Sequence, residues 1–231
     1  MFRLAITSLA FSLVGCLAAD GAGDEAIFVS KAVASSDTCS FTSSESEALI
    51  GHGEINVGSP EPYRLHPQMI SRIDATADQL LQKTIQIHGA RVNLEFADSN
   101  VGNAVPATQK QFKSLFSGPL SPNGGVTDGG FDVIPEGALA AILSLATSPN
   151  FETEVIAKVT VYGDLAGDEV TSQEFQFPIT VCANCIVNVV GDCPLLMAGR
   201  QGNACNAFQD GIVDCCTAPE GVMCPGPVAQ P

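Results

Sequence analysis

The sequence predicts a mainly β protein: an antiparallel β-sandwich, immunoglobulin-like or similar, with a disulfide-rich C-terminal extension. Three observations carry that prediction. Apolar and polar residues alternate from Thr153 to Tyr162 and again from Glu174 to Val181, the period-two signature of half-buried strands. Seven of the nine cysteines lie after residue 181. The chain has 231 residues, 45% of them hydrophobic and only 15% charged, which is enough to bury a full core in one domain with an appendage.

The chain begins with Met1-Phe2-Arg3, a short positive start. The apolar run Leu4–Val14 follows, too short to span a bilayer, so residues 1–15 read as an export signal. The run ends in Leu13-Val14-Gly15-Cys16, which resembles the lipobox of bacterial lipoproteins. The resemblance implies a diacylglyceryl group on the Cys16 thiol and cleavage that leaves Cys16 as the first mature residue. Ordinary signal cleavage near Ala18 or Ala19 would instead discard it. Acyl chains of the palmitate type contribute about 0.8 kcal/mol per buried methylene, so such an anchor holds the protein on a membrane. Leu17 rather than Asp follows the cysteine, and resemblance to the enterobacterial sorting rule implies the outer membrane. Residues 16–38 are small, polar and acidic and read as a flexible tether. Docking of Ala26-Ile27-Phe28-Val29 on the domain is the alternative.

Residues 39–181 are assigned to the sandwich. A strand is expected around Gly53–Val57, then a turn or extended passage at Pro60 and Pro62. Tyr63–Ile73 alternates loosely, with Pro67 making it an edge or bent strand. Asp74–Lys83 suits a short helix capped by Asp74. Ile85 and Ile87 are apolar at odd positions, whereas Val92, Leu94 and Phe96 are apolar at even ones, so the core face switches at Gly89-Ala90. One bent strand over Ile85–Phe96 with a β-bulge at that glycine accounts for the switch, and a plain hairpin is the alternative. Residues 97–133 read as a long loop with a helical turn around Phe112–Phe116. Pro135-Glu136-Gly137 opens a short buried helix over Ala138–Ala146.

The segment Glu152–Cys185 is the centre of the design. Val155, Ala157, Val159 and Val161 share one face of its first strand, and Phe175, Phe177, Ile179 and Val181 share one face of the return strand. Pro178 in the return strand lacks a backbone donor and marks it as an edge or bulged strand. Between the two, Asp164, Asp168 and Glu169 crowd one connection. Such an oxygen cluster is a candidate calcium site, with Asp128 and Asp132 a weaker second. A solvated turn is the alternative.

With Cys16 set aside, Cys39, Cys182, Cys185, Cys193, Cys205, Cys215, Cys216 and Cys224 remain, an even number that suits structural disulfides in an exported chain. At least one bond is expected to join Cys39 to the cluster in the extension, residues 182–231. Closing so long a loop contributes roughly 4 to 5 kcal/mol in the chain-entropy view. The neighbours Cys215 and Cys216 are expected to reach different partners. A turn at Ala183-Asn184 is expected between Cys182 and Cys185. Zinc on Cys182, Cys185, Cys193 and Cys205, or redox chemistry at Cys182 and Cys185, are the competing readings. The first lacks a nearby histidine, and the second lacks the helix N-terminus that depresses a thiol pKa.

Composition narrows the function. With Lys+Arg 10 against Asp+Glu 25, the net charge of −15 repels phosphate backbones and disfavours nucleic acid. Trp is absent and Tyr occurs twice, which disfavours an aromatic carbohydrate platform. His52, His66 and His88 stand in separate strand-like contexts without metal or nucleophile spacing, and Asn123-Gly124-Gly125 and Asp128-Gly129-Gly130 lack the Lys-Ser/Thr ending of a phosphate loop.

Phe175-Gln176-Phe177-Pro178-Ile179-Thr180-Val181-Cys182-Ala183-Asn184-Cys185 and Cys205-Asn206-Ala207-Phe208-Gln209-Asp210-Gly211-Ile212-Val213-Asp214-Cys215-Cys216 resemble a group of uncharacterised lipoproteins of myxobacteria. The resemblance implies export and architecture and adds no chemistry. The expectation is therefore a non-enzymatic module of the cell envelope, anchored in the outer membrane through Cys16, without a resident cofactor, that binds another envelope protein or builds part of the surface. The competing classes are a calcium-dependent binding module and a secreted hydrolase whose residues meet only in the fold.

Overall fold

Wherever the alternation is sustained, it becomes strand. The computed structural model describes residues 26–34, 39, 49–193, 200–219 and 221–224; the expected export signal, Cys16 and most of the expected tether lie outside them. In chain order the elements are β1 (Ile27–Val33), β2 (Leu49–Ile50), β3 (Gly53–Asn56), β4 (Tyr63–Leu65), β5 (Pro67–Ser71) and β6 (Ile85–Phe96). They continue with α1 (Ser99–Ala104), α2 (Ala107–Lys110), β7 (Gln111–Leu120), β8 (Val126–Asp128), β9 (Phe131–Ile134) and α3 (Glu136–Leu143). The rest is β10 (Glu152–Leu165), β11 (Asp168–Thr171), β12 (Phe175–Cys182), β13 (Val187–Asp192), β14 (Val213–Ala218) and β15 (Gly221–Met223).

One sheet runs β3-β12-β10-β6-β7, with β11 paired to the far end of β10; a second runs β2-β1-β5-β8; and a two-stranded β4-β9 ribbon stands beside them. Val155, Ala157, Val159 and Val161 of β10 and Phe177, Ile179 and Val181 of β12 are all buried. They share one core with Ile27, Val29, Leu65, Met69 and Phe131 from the other strands, which makes the molecule a sandwich. Each fully buried valine or larger side chain contributes about 1.5–3 kcal/mol. The Phe116 and Phe131 rings meet edge to face at 5.6 Å.

β6 is one bent strand. Its register against β10 skips His88, with Gly163 opposite Ile87 and Tyr162 opposite Gly89, so the extra residue stands one position before the expected pair. Gly89 has φ 155°, and a Cβ there would lie 2.3 Å from the Ser114 carbonyl oxygen. The bulge thus returns Ala90, Val92 and Leu94 to the core face. α3 forms behind Pro135 and buries Ala138, Leu139 and Ile142, but it ends at Leu143, three residues short of the expected Ala146.

Several expectations are corrected. The tether was drawn through residue 38, yet β1 lies within it, paired antiparallel with β5 and burying Ile27, Val29, Ala32 and Val33; the apolar patch docks. The return strand β12 is not an edge, because β3 adds to it in parallel. That pairing begins at Ile179, one residue past Pro178, so the proline sits where β12 has no neighbour on that side. Asp74–Lys83 forms turns rather than a helix: Leu80 and Leu81 are exposed, and without an apolar face to pack a stretch this short is not stable as helix. Residues 97–133 are not a loop but carry α1, α2, β7, β8 and β9, and Phe112–Phe116 is strand. The misreading has a cause in β7, where polar Ser114 is buried and Leu115 is 80% exposed, inverting the hydropathy phase.

The extension joins the edge left by β3. Asn56 N donates to Phe208 O, Asp210 N donates to Glu54 O, and Ile55 bridges antiparallel to Gln209, so residues 208–210 cover that edge. Beyond it β13, β14 and β15 form a small sheet, with β13 and β14 parallel. The four disulfides are Cys39–Cys205, Cys182–Cys185, Cys193–Cys216 and Cys215–Cys224. Cys39 thus reaches the cluster, and the adjacent Cys215 and Cys216 take different partners. The zinc set is excluded, because its four cysteines are divided among three of these bonds.

Candidate functional site

A cleft of about 510 Å³ opens at the junction of the sandwich and the extension. One wall is apolar, with Val33 of β1 and Ile50 of β2; the floor is Glu61, Pro62, Arg64 and His66; the opposite wall is Asn203, Asn206, Gln209 and Asp210. The Cys39–Cys205 bond lies in the lining. Alternation along β4 sends Tyr63 and Leu65 into the core and leaves Arg64 facing out. The chain then turns at His66, between β4 and Pro67 of β5, which places the imidazole in the cleft.

The extension wall is built by side chains that stand in for backbone. Gln209 Oε1 accepts from Arg64 N at 2.9 Å while its Nε2 donates to Arg64 O at 2.7 Å, so one amide pairs with β4 as a neighbouring strand would. Asn206 Oδ1 accepts from Phe208 N at 3.0 Å and its Nδ2 donates to Pro62 O at 3.3 Å. Asn203 Oδ1 accepts from Cys205 N at 2.8 Å. Asp210, at φ 50°, accepts from Glu54 N through Oδ1 and from the Tyr63 hydroxyl and Gln209 Nε2 through Oδ2.

Burial sets the charges. It pushes the Asp210 carboxyl above the usual carboxylate range against the lowering effect of its three donors. Burial, reinforced by the nearby Asp210 carboxylate, pushes the Tyr63 hydroxyl well above its ordinary value. Removal from water lowers His66 to about 4, so its ring is neutral at pH 7, with Nδ1 3.2 Å from Gly129 O. Arg64 Nε donates to Asp132 Oδ1 at 2.7 Å, and that bond raises the guanidinium further. The cleft lining therefore combines the Arg64 guanidinium, held by Asp132, a neutral imidazole, the carboxyls of Glu61 and Asp210 and amides already bonded to their neighbours. Among the described residues the lining contains no serine, threonine or unbonded cysteine beside the histidine. The arrangement suits recognition of a polar group with an apolar neighbour.

The residues singled out from sequence fall elsewhere. Asp164 and Glu169 are directly opposite across the β10–β11 hairpin, and Asp168 faces Leu165. Asp164 Oδ1 accepts from Gly167 N at 3.0 Å, and Glu169 is taken by Arg91 at 2.7 Å, which draws it below its ordinary pKa. Among the described residues no group of three His, Cys, Asp or Glu side chains converges as a metal site. Asp132 is engaged by Arg64, and Asp128 lies on β8 opposite Gln68. His52 Nε2 is 3.1 Å from Thr180 Oγ1, and His88 is the extra residue of the β6 bulge, so the three histidines do not meet. The cleft residues Arg64, Gln209 and Asp210 were not anticipated as a site. The available signal was Pro67 directly after an alternating strand, which marks a bend where outward side chains collect.

No family model matches the chain, and none of the curated proteins is significantly similar to it.

Proposed function

We propose that the protein is a non-enzymatic module of the cell envelope, held on the outer membrane by an acylated Cys16, and that it binds a short segment of another envelope protein in the cleft between sandwich and extension. The observation that supports this reading is the cleft itself. Its walls come from β1, β2, the β4–β5 bend and residues 203–210, segments far apart in sequence, with the Cys39–Cys205 bond among them. A volume of about 510 Å³ falls in the range of ligand pockets, and the Arg64 guanidinium, the neutral His66 ring and the apolar Val33 and Ile50 suit a polar peptide with one apolar side chain.

The test is site-specific photocrosslinking in intact membranes. A photoreactive residue at Glu61 in the cleft is expected to give a discrete adduct that Arg64→Ala abolishes, while the same residue at Leu115, exposed on β7 away from the cleft lining, gives none. Equal labelling at both positions, or an adduct indifferent to Arg64→Ala, would refute the cleft as a binding site. The anchor is tested separately: the mass of membrane-extracted protein should correspond to an acylated chain starting at Cys16, and Cys16→Ser should release the protein from membranes.

A further inference from the structure

Of the eight cysteines in the folded part, Cys185 alone is exposed, whereas its partner Cys182 is 1% exposed. The bond between them spans a sequence separation of 3, against 166, 23 and 9 for the other three. It ties no distant elements together, and Cys182 is held without it. Cys182 pairs with Glu152 on one side and Asn56 on the other, its carbonyl accepts from Val57 N at 2.8 Å, and Ala183 N donates to Phe151 O at 2.8 Å. The Cys182 Sγ lies 3.5 Å from Ile55 O, so a thiol at that position has an acceptor in place. One end of this disulfide is therefore open to an attacking sulfur, the other is shielded, and the strand pairings that hold Cys182 do not run through the bond.

We infer from this geometry that Cys182–Cys185 is a reversible thiol–disulfide exchange site, which accepts electrons from an external thiol or dithiol at Cys185 while the other three disulfides stay closed. The incoming thiolate attacks Cys185 Sγ, the bond to Cys182 breaks, and its electron pair leaves on Cys182 Sγ, which takes a proton from water. The Cys182 thiol is then placed to donate to Ile55 O. The mixed disulfide on Cys185 is resolved when the second thiolate of a dithiol attacks the reductant's own sulfur and expels Cys185 as a thiolate, which is protonated in turn. The reductant becomes a disulfide, losing two electrons, and the protein gains two thiols. Cys185 leads into β13 rather than into the N-terminus of a helix, so the site acts as the acceptor in this exchange and not as an activated nucleophile of the thioredoxin kind.

The experiment is graded reduction of the folded protein with dithiothreitol, quenching by alkylation and mapping of the labelled cysteines. Cys182 and Cys185 are expected to be labelled first, at a reductant concentration roughly tenfold below that opening any other pair. With glutathione in place of the dithiol, a single adduct is expected, on Cys185. Labelling of another pair first, simultaneous appearance of all thiols as the fold is lost, or an adduct on Cys182 would each overturn the proposal. Two variants check the direction of attack. The Cys185 thiol of C182S should react with a chromogenic disulfide in native buffer at least tenfold faster than the Cys182 thiol of C185S. Equal rates in variants that retain the wild-type circular dichroism would overturn the assignment of Cys185, and the mapping on unaltered protein decides the matter if either variant fails to fold.

Discussion

The Tyr63 hydroxyl donates a 2.8 Å hydrogen bond to Asp210 Oδ2 across a sequence separation of 147. It joins the sandwich to the wall of the extension at a carboxylate whose pKa is raised by burial.

Removing that donor weakens the junction. Tyr63→Phe should destabilise the protein by about 1–2 kcal/mol in urea unfolding at pH 7, because Asp210 loses a donor it needs in its ionised form. The sign with pH follows from the raised pKa of Asp210. A carboxyl whose folded value is raised costs stability as pH climbs from the unfolded carboxyl range through the folded value, and the lost donor increases that cost. The gap between Tyr63→Phe and wild type should therefore be wider at pH 7 than at pH 3.5.

His66 works in the opposite direction. Its pKa is lowered to about 4 by burial, so the unfolded chain binds the extra proton between that value and the ordinary one of 6.5. Stability is full above 6.5 and is lost as pH falls through the folded value, by roughly 2–3 kcal/mol. Urea midpoints at pH 7 and pH 4 should differ more for wild type than for His66→Gln, which cannot take up the proton.

The β10–β11 hairpin turns on Ala166 at φ 56° and Gly167 at φ 100°. A two-residue turn with both residues left-handed favours Asn-Gly, so Ala166→Asn should stabilise the protein by about 0.5–1 kcal/mol, read as a rise in the thermal midpoint.

The longest disulfide should contribute most. Replacing both Cys39 and Cys205 by Ser removes a closure with a separation of 166 and should cost about 5 kcal/mol in chemical denaturation. The Glu61 photocrosslink should weaken in the same variant under conditions where it remains folded, since the bond forms part of the cleft lining.

The central strands and the bulged β6 were legible in the sequence because their alternation is clean and their partners share a phase. The bond from Cys39 into the cluster followed from the cysteine arithmetic, though its partner Cys205 did not. β7 was illegible because Ser114 points in and Leu115 points out, so local hydropathy contradicts tertiary burial. β1 was hidden within an acidic stretch whose four apolar residues matter only once β5 is beside them. The cleft was the least legible feature. Gln209 and Asp210 act by completing the hydrogen bonding of Arg64, Glu54 and Tyr63, and no spacing along the chain announces a contact made across such distances.

The parallel pairing of β3 with β12 also bears on how the molecule is made. Residues 53–56 reach the amino end of the large sheet early in synthesis, but their neighbours on both sides, 179–182 and 208–210, come last. Until then β3 offers two unpaired edges, and the contacts that satisfy them have the high sequence separation that slows folding. β3 therefore stays unfinished until the C-terminal segments arrive, so assembly ends in one late step that joins the two halves of the chain, with the β3 segment the point most in need of protection until then.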